Sequence, residues 1–232
     1  MKKDFHISQA HKHIGLDGNL PFWISMIKES QKVLKQNTDK TILDFGCADG
    51  KFLQLFNLMD NLKSGLGIDL NNQLIKNAIS KNKNSNIEYK TSKNTTLTKY
   101  NNHFDAVYSQ EVIYTIQDLE QHSNNIFESL KDGGFYFATI GSHIQNPLWS
   151  KRREMIRDEE SYYAYDYSLE EIAKIFYSAG FEVGIKRLPV EYFLVYHPTS
   201  TKEFSNSLVD LVNTTYENKM LFSFWKPFSK TI

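Results

Sequence analysis

The sequence predicts an α/β fold: a mostly parallel sheet with helices on both faces, and three observations carry the prediction. Short β-rich runs alternate with runs of helical periodicity through the middle of the chain. Glycine-containing turns separate many of them, the punctuation expected between strands and crossover helices. The 232 residues fit one large domain, long enough to bury roughly 70–75% of the surface exposed when unfolded. Alternation of this kind implies right-handed crossovers.

Residues 1–20 contain His6, His11, His13, Gly15 and Gly18 without a clear period and read as an arm. From Pro21 to Lys35, the residues Phe22, Trp23, Met26, Ile27, Val33 and Leu34 recur at helical spacing, with the proline in the first turn. Thr41–Phe45 is a first strand, Phe52–Leu62 a helix, Leu66–Leu70 a second strand, Gln73–Lys81 a helix and Ile87–Tyr89 a third strand. Phe104–Ser109 is a fourth strand and Leu119–Leu130 a helix, and the turn Lys131-Asp132-Gly133-Gly134 releases a fifth strand, Phe135–Ile140. Residues 141–167 break the rhythm and read as an insertion. Ser168 with Glu171 forms a capping-box pattern that opens a helix stopped at Gly180. Phe181–Val190 and Tyr192–Tyr196 are expected as closing strands, followed by a helical tail with a helix over Glu203–Tyr216. The aromatic end, Phe222-Ser223-Phe224-Trp225, is expected in core or dimer packing.

Lys plus Arg number 27, as do Asp plus Glu, so no global field draws nucleic acid and a bulk nucleic-acid partner is disfavoured. Cys47 is the single cysteine. It excludes an internal disulfide and suggests a reducing compartment. The N-terminus lacks a signal-peptide pattern, and no run approaches the ~20 apolar residues of a membrane span. A cytoplasmic monomer or homodimer without a membrane partner is expected. His11 and His13 have no accompanying ligand pattern, so no metal is expected.

The segment Asp44-Phe45-Gly46-Cys47-Ala48-Asp49-Gly50 lies between a predicted strand and a predicted helix. Small residues at 46, 48 and 50 let the backbone approach a ligand and let the helix pack close to the strand. Asp69 ends the second strand near the ~20-residue offset at which a carboxylate meets ribose hydroxyls in nucleotide-binding sheets. A nucleoside is the expected guest.

At these residues the chain resembles the class I S-adenosylmethionine-dependent methyltransferases. Their first motif, D/E-x-G-x-G-x-G, is similar to Asp44, Gly46, Ala48 and Gly50, with alanine in the central glycine place. A nicotinamide dehydrogenase would have two residues between its second and third glycines. Here Asp49 alone separates Ala48 from Gly50. Phe104–Ile113, the turn Leu130–Gly134 and the stretch from Tyr167-Ser168 to Gly180-Phe181 resemble later motifs of the family in the same order. The resemblance implies a Rossmann-like seven-stranded sheet whose last strand is antiparallel. It implies one domain: an N-terminal helical arm or lid over 1–35, a catalytic core over 36–197 that includes an acceptor-site insertion over 141–167 after strand five, and a helical tail over 198–232. It also implies S-adenosylmethionine as cofactor and S-adenosylhomocysteine as product. Asp44 and the backbone of Gly46, Cys47, Ala48 and Gly50 would then hold the methionine end. Asp69 would take the ribose, Leu70 would lie beside adenine, and Ser109 and Gln110 would run along the cofactor. The family often has an acid against adenine after strand three. Thr91-Ser92-Lys93-Asn94 offers none, leaving Ser92 or Asn94 for that contact.

Methyl transfer from a sulfonium needs alignment more than side-chain chemistry, although a hydroxyl or amine acceptor calls for a base. His143, after the fifth strand, is the first candidate; Glu111 and Tyr114 follow the fourth. In the insertion, Trp149, Arg152, Arg153 and Tyr165 are candidates for acceptor binding. Guanidinium forks suit a phosphate or carboxylate, so the acceptor is expected to be a small metabolite, with an anionic, nucleotide-linked or phosphorylated one favoured if those arginines reach it. A solvated basic helix face is the alternative. A regulatory protein that binds S-adenosylmethionine without turnover is the competing reading.

Overall fold

A computed structural model describes residues 19–34, 38–92, 97–159, 162–191 and 207–229. In chain order the elements are α1 (Leu20–Gln31), β1 (Lys40–Phe45), α2 (Lys51–Met59), β2 (Leu62–Asp69), α3 (Asn72–Lys81), β3 (Ile87–Thr91), β4 (Phe104–Gln110), α4 (Leu119–Ser129), β5 (Leu130–Ile140), α5 (Trp149–Glu159), α6 (Leu169–Ser178), β6 (Glu182–Arg187), α7 (Leu208–Tyr216) and β7 (Met220–Trp225). Single 3₁₀ turns cover Thr98–Tyr100 and Ile113–Thr115.

The strands form one seven-stranded sheet in the order β3-β2-β1-β4-β5-β7-β6. β1 is parallel to β2 and β4, β2 to β3 and β4 to β5, whereas β7 runs antiparallel to both β5 and β6. The strand order reverses at β1 and β4, so a crevice opens above their carboxyl ends, the place where open α/β sheets take ligands. β1 shows why this sheet needs helices on both sides. Ile42 and Leu43 point to opposite faces and both are fully buried.

One face is covered by α1, α2 and α3. Phe22, Met26 and Ile27 of α1 join Phe52, Leu53 and Phe56 of α2 around Ile42, Tyr108, Phe137 and Leu221. The other face is covered by α4 and α6, with Ile126, Ile172 and Phe176 against Leu43, Val107, Tyr136 and Phe224. The Phe176 and Phe224 rings stack 3.9 Å apart. α6 opens with the expected capping box, in which the Ser168 hydroxyl accepts from the Glu171 N–H and the Glu171 carboxylate accepts from the Ser168 N–H.

The N-terminal helix α1 is packed on the sheet, with Phe22, Met26 and Ile27 almost wholly buried as part of the main core. Several sequence expectations are corrected. Residues 1–18, with His6, His11 and His13, lie outside the described residues, as do 192–206 and with them the expected strand Tyr192–Tyr196. The strand between β5 and β6 is Met220–Trp225, so the expected helical tail supplies an interior strand as well as α7. Its alternation explains this: Leu221 faces one core while Phe222 and Phe224 face the other. The helix after the glycine turn stops at Met59, and β2 begins already at Leu62. The 131–134 turn becomes a bulged start of β5, with the register shifting opposite Phe104 and Ala106. Among the described residues no helix is long and apolar enough to cross a membrane.

Candidate functional site

The loop after β1 turns back on itself through three left-handed residues, Gly46 at φ 80°, Ala48 at φ 48° and Gly50 at φ 80°. Its backbone donors are largely spent within the fold. Gly46 and Cys47 N–H both donate to the Ile68 carbonyl, Gly50 N–H donates to the Cys47 carbonyl, and Ala48 N–H donates to Asp69 Oδ2 at 2.9 Å. Asp69 Oδ1 also accepts from Asn71 N–H at 2.8 Å. Asp69 therefore locks the loop in shape, and its remaining lone pairs are available to a pair of hydroxyls.

Tyr89 supports the loop from below, its hydroxyl donating to the Gly50 carbonyl at 2.7 Å. A Cβ at Gly50 would come within 2.5 Å of the Tyr89 ring, and one at Gly46 within 2.5 Å of Val112. Strain and clash then coincide at Gly50. Gly50→Ala is expected to cost about 2–3 kcal/mol, from φ strain plus overpacking, and to weaken nucleoside binding with it. Urea denaturation beside a ligand titration checks this; unchanged stability would mean that Tyr89 gives way freely.

Asp44 is the buried acid at the start of this loop. It is 4% exposed, and within the described residues its Oδ2 accepts no hydrogen bond. Burial, and after it the charge of Asp69, raises its pKa well above the usual carboxylate range. Such a group is poised for a cationic donor. Two residues beyond its β4 partner Tyr108 stands Gln110, whose Oε1 is likewise buried and unpartnered, while its Nε2 donates to Asn19 Oδ1 at 3.0 Å. An α-ammonium with three N–H donors would satisfy both acceptors.

Other sequence candidates fall differently. Ser109 alternates to the opposite face from Gln110, where its hydroxyl sits 2.6 Å from that of Tyr136. The Cys47 thiol is buried and pushed up by burial and by the neighbouring Asp44 and Asp69 charges, so it is no nucleophile. Leu70 is 73% exposed at the rim. Ser92 N–H donates to the Asp69 carbonyl at 3.0 Å, placing Ser92 beside that rim. Asn94 lies outside the described residues.

Beyond the switch point, the ends of β4, β5 and β7 converge on Glu111, a non-glycine residue at φ 55°. Its Oε1 accepts from Gly141 N–H at 2.7 Å, and its Oε2 accepts from the Ser142 hydroxyl at 2.8 Å. Lys219, just before β7, donates to Oε1, and Arg152 lies 3.5 Å from Oε2. Burial would raise this carboxyl, but the Lys219 and Arg152 charges, with hydrogen bonds from Lys219 and Ser142, outweigh it and hold the pKa at about 2. Glu111 is thus a permanent anion that ties three segments together. As a base it is poor. Sequence reasoning missed Lys219, which stands alone before an apolar run; its partner became visible only once β7 inserted beside β5.

His143 is 1% exposed. Its Nε2 donates to the Asn218 carbonyl at 2.9 Å, and among the described residues Nδ1 has no partner. With Nε2 given to the Asn218 carbonyl, Nδ1 is the ring nitrogen left to meet a ligand. Tyr114 is buried edge-on against Trp149, ring centres 5.7 Å apart, in a small core with Ile156 and Ala164. Trp149 donates through Nε1 to Asp166 Oδ1 at 2.6 Å, and Arg153 pairs with Asp166 Oδ2. Trp149 and Arg153 are thus joined through the one carboxylate of Asp166 within the insertion. Tyr165 is half-buried, 4.5 Å from the Tyr163 ring and 6.2 Å from Tyr167.

A family model described as a methyltransferase domain matches residues 25–184. No curated protein matches the chain. Among solved structures, the chain is similar to one in the complex between the Haloferax volcanii Trm112 methyltransferase activator and a methyltransferase. That likeness has a TM-score of 0.78 and 18% identity over 93% of this chain and 94% of that one. It is similar to an S-adenosylmethionine-dependent methyltransferase from Mesorhizobium loti, with TM-score 0.67 and 14% identity over 88% and 97%. It is also similar to Haemonchus contortus phosphoethanolamine N-methyltransferase 2 in complex with S-adenosyl-L-methionine, with TM-score 0.64 and 19% identity over 88% and 53%.

Proposed function

The chain belongs to the methyltransferase-domain family, and from that premise we propose that it moves the methyl group of S-adenosylmethionine to a small metabolite, releasing S-adenosylhomocysteine. The observation that carries this reading is the pair of buried acceptors without a partner among the described residues, Asp44 Oδ2 and Gln110 Oε1, beside the left-handed loop and Asp69. Relatives of the same fold that are described as using or binding S-adenosylmethionine support it.

Asp44 and Gln110 would hold the amino-acid end of the cofactor, Asp69 the ribose, and Leu70 with Ser92 the adenine rim. When bound, the cofactor supplies a sulfonium-activated methyl group, and the protein's task is alignment and exclusion of water. Glu111 keeps its charge and orders the ends of β4, β5 and β7. His143 is the proposed base: Asn218 orients the ring, and Nδ1 takes the proton from the acceptor nucleophile.

Incubation with methyl-labelled S-adenosylmethionine and pooled carboxylated, phosphorylated, neutral and cationic metabolites tests the activity. Labelled product is expected, with His143→Gln lowering kcat by about 10²–10⁴-fold at unchanged cofactor affinity. Equal turnover by His143→Gln removes His143 as base. Tight cofactor binding with no labelled product in any pool contradicts the metabolite reading.

A further inference from the structure

The strand register places one polar side chain from each of four adjacent segments in a row along the carboxyl edge of the sheet. Asp44 on β1 is opposite Tyr108, and Gln110 is two residues further along β4 on the same face. Gln110 pairs with Thr139 on β5, and Thr139 pairs with Leu221 on β7. Lys219 is two residues before Leu221 and so shares its face. All four face α1. Tyr108, Phe137 and Leu221 belong to the core that α1 covers, and the Lys219 ammonium lies 4.7 Å from the centre of the Phe22 ring.

The row runs from acid through amide and hydroxyl to ammonium. In three of its members a buried polar atom has no hydrogen-bond partner among the described residues: Asp44 Oδ2, Gln110 Oε1 and Thr139 Oγ1. Thr139 is 1% exposed and Lys219 6%. Leaving several polar atoms of one row unsatisfied is costly unless a ligand completes them. The proposed cofactor accounts for Asp44 and Gln110, at the negative end. It does not account for Thr139 or for a buried ammonium at the other end. Lys219 has three N–H donors. Glu111, its ion-pair partner, shares its carboxylate with Gly141, Ser142 and Arg152. Burial also lowers the Lys219 pKa, so a further anion would be welcome there.

We propose that Thr139 and Lys219 form the acceptor's binding site, taking a carboxylate or phosphate group of the substrate on the α1 face of the sheet. The hydroxyl and the ammonium donate to the anion, and the row thereby orders cofactor and acceptor side by side above β1, β4, β5 and β7. This rests on the methyl-transfer reading and narrows its substrate class to anionic metabolites. It moves the anion contact from the insertion's arginines to the foot of β7.

The test uses the full chain saturated with S-adenosylhomocysteine, titrated with acetate, with inorganic phosphate and with ethylammonium, and followed by amide NMR at Thr139–Ser142 and Asn218–Lys219. Saturable shifts with acetate or phosphate and none with ethylammonium are expected; whichever anion binds tighter tells carboxylate from phosphate. Thr139→Val should weaken that binding severalfold. Glu111→Gln combined with Lys219→Met, which removes both members of the buried ion pair, should weaken it at least about tenfold while adenosylhomocysteine still binds. Anion binding that survives both variants, an absence of anion binding in the saturated protein, or preference for ethylammonium overturns the proposal. Failure to bind adenosylhomocysteine at all would instead overturn the methyl-transfer reading beneath it.

Discussion

Lys219→Met is expected to destabilise the protein by about 3 kcal/mol, because it takes from the buried Glu111 carboxylate its nearer cation and leaves Arg152, 3.5 Å away, as the other. The Glu111 side chain is 14% exposed and that of Lys219 8%, so water compensates little. The pair joins the end of β4 to the foot of β7, segments far apart in sequence, and Arg152 adds the insertion to the same anion. Combining the change with Glu111→Gln should recover much of the loss, since the neutral amide accepts from Gly141 N–H through its oxygen, donates through its NH2 to the Ser142 hydroxyl, and removes the buried carboxylate charge. Chemical denaturation of the two single variants and the double variant measures the coupling directly. Additive losses would mean that the ion pair does not hold these segments together.

The same pair predicts a pH window. Glu111 has a folded pKa of about 2 against an ordinary value of 4.5. A depressed carboxylate contributes stability above its unfolded pKa and loses it as pH falls through the folded one. Acid denaturation should therefore steepen between about pH 4.5 and pH 2, and Glu111→Gln should flatten that limb.

Asp44→Asn should act in the opposite sense on stability while removing binding. Burial and Asp69 raise the Asp44 pKa, so its ionised form costs stability at neutral pH, a cost relieved as pH falls through the raised value. Replacing it by a neutral amide is expected to stabilise the ligand-free protein by about 1–3 kcal/mol and to weaken S-adenosylmethionine binding about 10²-fold, the scale of a charge-assisted hydrogen bond lost. Thermal melts with and without cofactor check both halves. A variant that melts earlier and binds equally well would mean that Asp44 is a structural group of the loop.

The sequence made the first five strands legible because each is a short apolar run closed by a turn signal, and the crossover helices between them have strong period. Asp44, Gly46, Gly50 and Asp69 were legible for a related reason: their spacing is local to one strand-turn-helix unit and the strand beside it. The sheet's closing end was not. β7 enters between β5 and β6, and its run, Met220–Trp225, has a Phe-Ser-Phe alternation equally suited to a tail packed on a core or on a partner. Nothing local says that it pairs with Phe135–Ile140. Lys219 and Thr139 were hidden with it, since the first acquires meaning from Glu111 and the second from Gln110, contacts made only by sheet order. The insertion's arginines illustrate the converse. Their cluster suggested an anion site, but Arg153 is spent on Asp166 and Arg152 approaches Glu111. A charge pattern reveals the presence of guanidinium groups and not the carboxylates that will meet them. His143 stands out in the sequence by its position after β5, whereas its burial and its bond to Asn218 depend on the tail.

The most direct measurement is calorimetric titration of the purified protein with S-adenosylmethionine, S-adenosylhomocysteine and NAD, repeated on Asp69→Ala. Asp69 both locks the loop through Ala48 and faces the proposed ribose position. The predicted result is binding of both adenosyl ligands and none of NAD, with affinity falling by about 10–10²-fold in Asp69→Ala. Binding of NAD in their place, or adenosyl binding that Asp69→Ala leaves unchanged, would contradict the assignment of this crevice.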